Sequence, residues 1–185
     1  MDVFDAIYNR HSQGKVKPDA VPRELLKKLL SAAVQAPNHY KVRPWRFVVL
    51  AGKARDKLGD VLVASQLDRK PDLLPEAADK IRALPLRAPV VIAVGVEKPV
   101  EEKVLEIENI AAVAAACQNL LLAAQAEGLA VKWRTGEWAR DAKVKEFLGF
   151  SADQHLIAFL YIGRPEFTAE YEPRPSFEDR TVWRE

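Results

Sequence analysis

One cysteine, Cys117, stands among 185 residues, so no disulfide can form within the chain. It lies in an apolar helical run, where a thiol is ordinarily inert packing, and this usage fits a reducing compartment. Three histidines, His11, His39 and His155, are not at metal-ligand spacing, and there is no His-Glu-x-x-His motif or cysteine pair. No metal site is therefore expected. A Gly-x-Ser-x-Gly elbow, a P-loop and a Gly-x-Gly-x-x-Gly fingerprint are all missing, and Gly128 and Gly136 are isolated. Excess charge is missing too. The 28 basic and 26 acidic side chains leave a net charge of +2, too balanced for a nucleic-acid surface. No segment is expected to reach the roughly 20 apolar residues needed to span a bilayer. From the acidic, amphipathic start no signal peptide is expected. Repeats, low-complexity tracts and linkers are absent. The expectation is a soluble cytoplasmic protein with a single domain over residues 1–185.

What is present is a globular composition: 49% hydrophobic and 29% charged residues. Residues 2–11 read as a helix capped by Asp2, with Val3, Phe4, Ile7 and Tyr8 on one stripe. A second helix opens at Pro22, buries Leu25, Leu26, Leu29, Leu30 and Ala33, and stops at Pro37. Arg46–Leu50 reads as a strand, 53–64 as a short helix, and 65–88 as a proline-broken excursion with one helix around 75–83. That excursion could cover a site or be plain surface. The run from Pro89 to Val96 reads as a strand buried on both faces. Residues 104–127 form the longest helix. It is apolar nearly all round, so it packs in the core or against another chain. Strands at 129–135 and 155–163 flank a short helix at 141–148. The proline-rich tail, 166–185, has no core of its own and frays or lies on a neighbour. This order predicts an α+β fold, one sheet with helices packed around it.

No residues supply a nucleophile with its base, so the chemistry is expected to reside in a bound cofactor. Three places fit a flat, phosphate-bearing, redox-active ligand. Arg10 and Ser12, flanking His11, combine a forked cationic donor with a compact hydroxyl. Because they follow a helix C-terminus, where the dipole repels anions, side chains and not backbone must do the binding. The loop from Asn38 to Trp45 carries His39, Lys41 and Arg43. Trp133-Arg134-Thr135, at a strand end, joins donors to an aromatic face. The plainer alternatives are a helix-end charge for Arg10, a solvated loop residue for His39 and core or rim packing for Trp45 and Trp133.

Taken in order, these pieces resemble the nitroreductase family of flavin enzymes, and most closely its small single-domain branch. The resemblance is carried by Asn9-Arg10-His11-Ser12, Ala36-Pro37-Asn38-His39 and Pro44-Trp45-Arg46-Phe47-Val48-Val49. It continues through Ala88-Pro89-Val90-Val91-Ile92, the alanine-rich helix ending at Gly128, Val131 to Gly136, and Phe159 to Pro165. It implies an intertwined homodimer with two FMN molecules at the subunit interface. It also implies an NAD(P)H oxidoreductase that passes hydride through the flavin to an electron-poor acceptor such as a nitroaromatic or quinone. Arg10, His11 and Ser12 would hold the phosphate and ribityl end. Gln35 and His39, from the other subunit, would contact the same cofactor, and Trp133, Arg134 and Thr135 would lie along the flavin. Ala123 to Gly128 corresponds to a stretch associated with the nicotinamide, and the tail would cross to the partner. No protein side chain is expected to act as a catalyst.

Two departures stand out. The family usually has a basic residue two places after the serine; here that position is Gly14, with Lys15 one place later. The loop before Pro-Trp usually carries Asn and Gln; here it carries Lys41 and Arg43, a more basic mouth that leaves room for an anionic acceptor. The rival readings are a flavin-binding or storage protein without turnover, and a helical dimerisation module without a cofactor. The second leaves the polar loop unexplained.

Overall fold

Alternation along two central strands organises the molecule. The computed structural model describes residues 1–168 and 174–185. Strands β1 (Trp45–Ala51), β2 (Val90–Val96), β3 (Ala130–Arg134) and β4 (His155–Gly163) form one sheet in the order β1-β2-β4-β3. All pairings are antiparallel. Every residue of β2 is buried, as expected for an apolar run covered on both faces. Val90, Ile92 and Val94 face one core with Leu160 and Ile162 of β4; Val91 and Ala93 face a second core with Phe159. Helices α2 (Arg23–Ala33) and α5 (Glu106–Ala126) cover the first face. Helices α3 (Lys53–Arg69), α4 (Pro75–Arg82) and α6 (Ala142–Phe147) lie on the second side.

β4 carries a bulge. Val94 pairs with Ala158 and Gly95 with Leu156, leaving Ile157 as the extra residue. One extra residue flips side-chain parity, so Leu156 joins the second core. The displaced Ile157 carbonyl accepts the Trp133 indole N–H at 2.9 Å. Trp133 is thus a partly buried core aromatic locked to the bulge.

The longest helix corrects one expectation. α5 has 21 residues and a mean hydropathy of 1.4 over its most apolar stretch, long and apolar enough to cross a bilayer by length and composition. Here it packs on the sheet and on α2. Val113, Ala116, Cys117 and Leu120 are fully buried, and burial pushes the Cys117 thiol up to about 12. The opposite side, at Ile107 and Ala111, is open in the single chain.

Other boundaries moved for local reasons. α1 (Val3–Asn9) starts at Asp2, which forms a capping box with Asp5, and ends before Arg10. Its stripe of Val3, Phe4, Ile7 and Tyr8 points outward; only Ala6 is buried. α2 ends at Ala33, four residues before Pro37. α3 runs five residues past the expected end, because Ser65 donates to Asp141 and Asp68 pairs with Lys143, tying its last turns to α6. Such contacts are invisible to local pattern. The expectation that the whole tail lacks a core falls partly on residues 169–173, outside the described residues. Phe177, Val182 and Trp183 are exposed.

Candidate functional site

The outer edge of β3 gathers most of the residues expected to bind. Ser12 forms a parallel bridge with Val131, and Val16 an antiparallel bridge with Pro165. Lys17 donates its backbone N–H to the Arg164 carbonyl at 2.8 Å, and the Gln13 side chain donates to the Phe167 carbonyl at 2.8 Å. Residues 12–17 therefore run along the β3 edge and across the end of β4. Gly163 makes this possible: a Cβ there would lie 2.8 Å from the Val16 side chain and 2.9 Å from Pro89.

Arg10 caps α1 in an extended conformation, its carbonyl accepting Arg174 Nη2 at 2.7 Å. His11 follows. Partial desolvation, then the Arg174 and Arg10 charges, hold its imidazole below the ordinary value. Trp133, Arg134 and Thr135 lie at the far end of the same edge. Four residue steps at ~3.3 Å put the two ends of β3 about 13 Å apart, a span suited to an extended phosphorylated ligand with a ring at one end. Past Val131, no other strand covers this edge among the described residues.

A further cation enters from the strand. The Lys132 side chain runs across Gly14, where a Cβ would lie 2.9 Å from Lys132 Cδ and 3.8 Å from its Nζ. Lys132 thus occupies the space that a side chain at position 14 would take. The sequence signal for it was available: Lys132 and Arg134, two apart, share one face of β3.

Gln35 and His39 do not join this group within one chain. α2 runs along α5 toward its N-terminal end: Lys28 pairs with Glu127, and the Asn119 side chain donates to the Ala32 carbonyl. Continuing that way, the Gln35 side chain donates to the Ser31 carbonyl, and His39 Nδ1 lies 2.8 Å from Glu108 Oε2. β3 begins just beyond the other end of α5. At 1.5 Å per residue, Glu108 and Ala126 are about 27 Å apart along the helix.

The loop holding His39 is strained. Tyr40, Lys41 and Arg43 have φ values of 51°, 56° and 52°, a region costing roughly 1–2 kcal/mol for an ordinary residue. Asn38 Oδ1 accepts the Arg43 N–H at 2.8 Å, and Lys103 lies over the Tyr40 ring. Strain held in this way clusters at functional segments.

Beside the Thr135 end of β3, on the second face of the sheet, opens a cavity of about 350 Å³. Leu58 and Leu62 of α3 and Phe159 and Tyr161 of β4 line it, with Arg87 and Arg134 among its polar groups. The excursion at 65–88, read as cover or surface, contributes Leu84 and Arg87 to its wall. No group of three or more residues suited to a metal exists among the described residues.

The model of the family described as the Nitroreductase family matches residues 7–164. The Escherichia coli K12 protein YdjA, which carries a provisional NAD(P)H nitroreductase name, is 31% identical over 169 residues, 91% of each chain. A solved nitroreductase-like protein from Bacillus cereus superposes with a TM-score of 0.86 at 26% identity, covering 100% of this chain and 97% of that one. A provisionally named nitroreductase from Desulfovibrio desulfuricans, solved in complex with FMN, gives 0.74 at 26% identity, with the same coverage.

Proposed function

Since the chain belongs to the nitroreductase family, we propose that it is an FMN-dependent NAD(P)H oxidoreductase, working as a homodimer in the cytoplasm. The observation that carries this reading is the β3 edge, with Ser12 of the cationic, hydroxyl-bearing trio bridged to Val131 and Thr135 four residue steps, about 13 Å, further along the strand. FMN fits that edge in length and charge. When bound, it would accept hydride at N5 from the nicotinamide and deliver electrons to an electron-poor acceptor such as a nitroaromatic or quinone.

The chain's own residues then bind and orient. Arg10, His11 and Ser12 hold the phosphate and ribityl end, and the main chain from Trp133 to Thr135 lies along the ring, the Trp133 indole itself being packed in the first core and Arg134 turned to the second face. Lys132 places the positive charge that position 14 does not supply, favouring an electron-rich ring. Gln35 and His39 come from the second copy, because the length of α5 separates them from the trio of their own chain. The outward stripe of α1 and the open side of α5 give that copy an apolar surface to cover.

The test is direct. The purified chain should take up FMN, turn yellow and oxidise NAD(P)H when a nitroaromatic or quinone is present. A protein that stays colourless with excess FMN overturns the reading. FMN uptake without turnover replaces it with flavin storage.

His11 gives a pH signature. Its folded-state value is lowered, so as pH falls through the ordinary imidazole range near 6.5 the unfolded chain takes a proton that the folded chain resists. His11 then subtracts stability from the FMN-free protein below that range and nothing above it. A bound phosphate offsets the Arg10 and Arg174 charges and raises the imidazole, so binding takes up protons. FMN affinity should gain from His11 as pH falls from about 6.5. The second ionisation of the phosphate, near pH 6, acts in the opposite sense. The check is therefore log Kd against pH for the parent and His11→Asn, and equal slopes refute the assignment.

A further inference from the structure

We propose that the 350 Å³ cavity at the Thr135 end of β3 receives the electron acceptor as a planar aromatic carboxylate, with Arg87 taking the carboxylate group. This rests on the flavoenzyme reading for what happens to the ligand, and on the cavity's own chemistry for which ligand enters.

The volume lies in the ~300–1,000 Å³ range of small-molecule sites. The interior is apolar: Leu58, Leu62 and Phe159 are buried around it. The polar groups are unbalanced in sign. The one carboxylate of the lining, Glu137, is taken by Arg69 at 2.9 Å. Neither Arg87 nor Arg134 has a carboxylate within 4.0 Å among the described residues. Arg134 instead lies over the Tyr161 ring at 5.5 Å. Both guanidinium charges act on the Tyr161 hydroxyl, opposing the upward push of its burial.

An aromatic chamber with two unpaired guanidinium groups asks for a ligand with a flat apolar body and one compact negative end. A carboxylate on a ring meets the planar donor fork of Arg87 in two parallel hydrogen bonds. A neutral aromatic ring fills the same chamber without engaging the charge. A nucleotide phosphate chain would bring more charge than two arginines over an apolar interior can satisfy. Arg134 already stacks on Tyr161, so Arg87, exposed on the turn before β2, is the group free to close on the anion.

Two measurements test this. The first is the ratio of kcat/KM for 4-nitrobenzoate over nitrobenzene in the FMN-loaded protein, for the parent, Arg87→Leu and Arg87→Lys. The ratio should fall by about tenfold or more in Arg87→Leu, the loss of a charged hydrogen bond, and recover in part in Arg87→Lys. An unchanged ratio overturns the proposal. The second is calorimetric titration with benzoate, which needs no turnover. Benzoate should bind the parent about tenfold or more tightly than Arg87→Leu, and equal binding overturns the proposal. A chain that takes up no FMN removes the flavoenzyme reading. Benzoate titration into that colourless chain still decides the cavity: heat that depends on Arg87 upholds it, and none sinks it.

Discussion

Arg10→Ala should weaken FMN binding by about 1.5–3 kcal/mol, the worth of a hydrogen bond to a charged group, or roughly 10- to 150-fold in Kd. Arg10 is the strongest donor of the trio, and its position leaves few alternatives. It follows the last turn of α1, where backbone carbonyls face any approaching anion, so the guanidinium must overcome the helix end as well as hold the phosphate. Its carbonyl anchors Arg174, a main-chain contact that alanine preserves. The substitution therefore removes the side chain's charge and fork while leaving the cap in place. The measurement is quenching of FMN fluorescence on titration at fixed ionic strength. An unchanged Kd would reduce Arg10 to a helix-end charge and move the phosphate elsewhere along the edge. A parallel fall in thermal midpoint without FMN would show that the variant damages α1 itself.

Patterns that a few neighbouring residues can carry were legible in the sequence. β2 announced itself as apolar on both faces and α5 as apolar nearly all round, and the Arg10 to Ser12 trio was visible as a cluster whose phosphate binding is the prediction made above. What escaped depends on pairs far apart in the chain. Arg87 and Arg134 are brought to one cavity by the sheet and its flanking helices, and nothing near either residue foretells it. The last turns of α3 exist because Ser65 and Asp68 reach α6, more than 70 residues away. α1 carries the expected stripe, but its partner is not the chain's own core. The missing basic residue at position 14 was legible. Its replacement by Lys132 required knowing that β3 runs beside that loop.

Leu160→Ala should cost the fold about 2–5 kcal/mol, the usual range for a buried leucine truncated in a packed core, against a total stability of roughly 5–15 kcal/mol for a domain. Leu160 is 0% exposed. It pairs with Ile92 on one side and Trp133 on the other, so it sits at the centre of the sheet. Its side chain belongs to the core that includes α5, and close-packed neighbours there can collapse only partly into the void. Trp133 would feel the loss first. Its indole, however, is also fixed by the Ile157 carbonyl, so the edge proposed to hold FMN should keep its geometry. This separates two effects that a simple activity assay would merge. Unfolding midpoints in denaturant, at one chain concentration, should fall by a similar amount with and without FMN. Saturating FMN should raise both proteins equally, by about 4 kcal/mol at a thousandfold excess over Kd. A smaller FMN increment in the variant would show that Leu160 positions the site through Trp133. A loss below about 1 kcal/mol would mean that the core relaxes around the cavity more freely than packed interiors do.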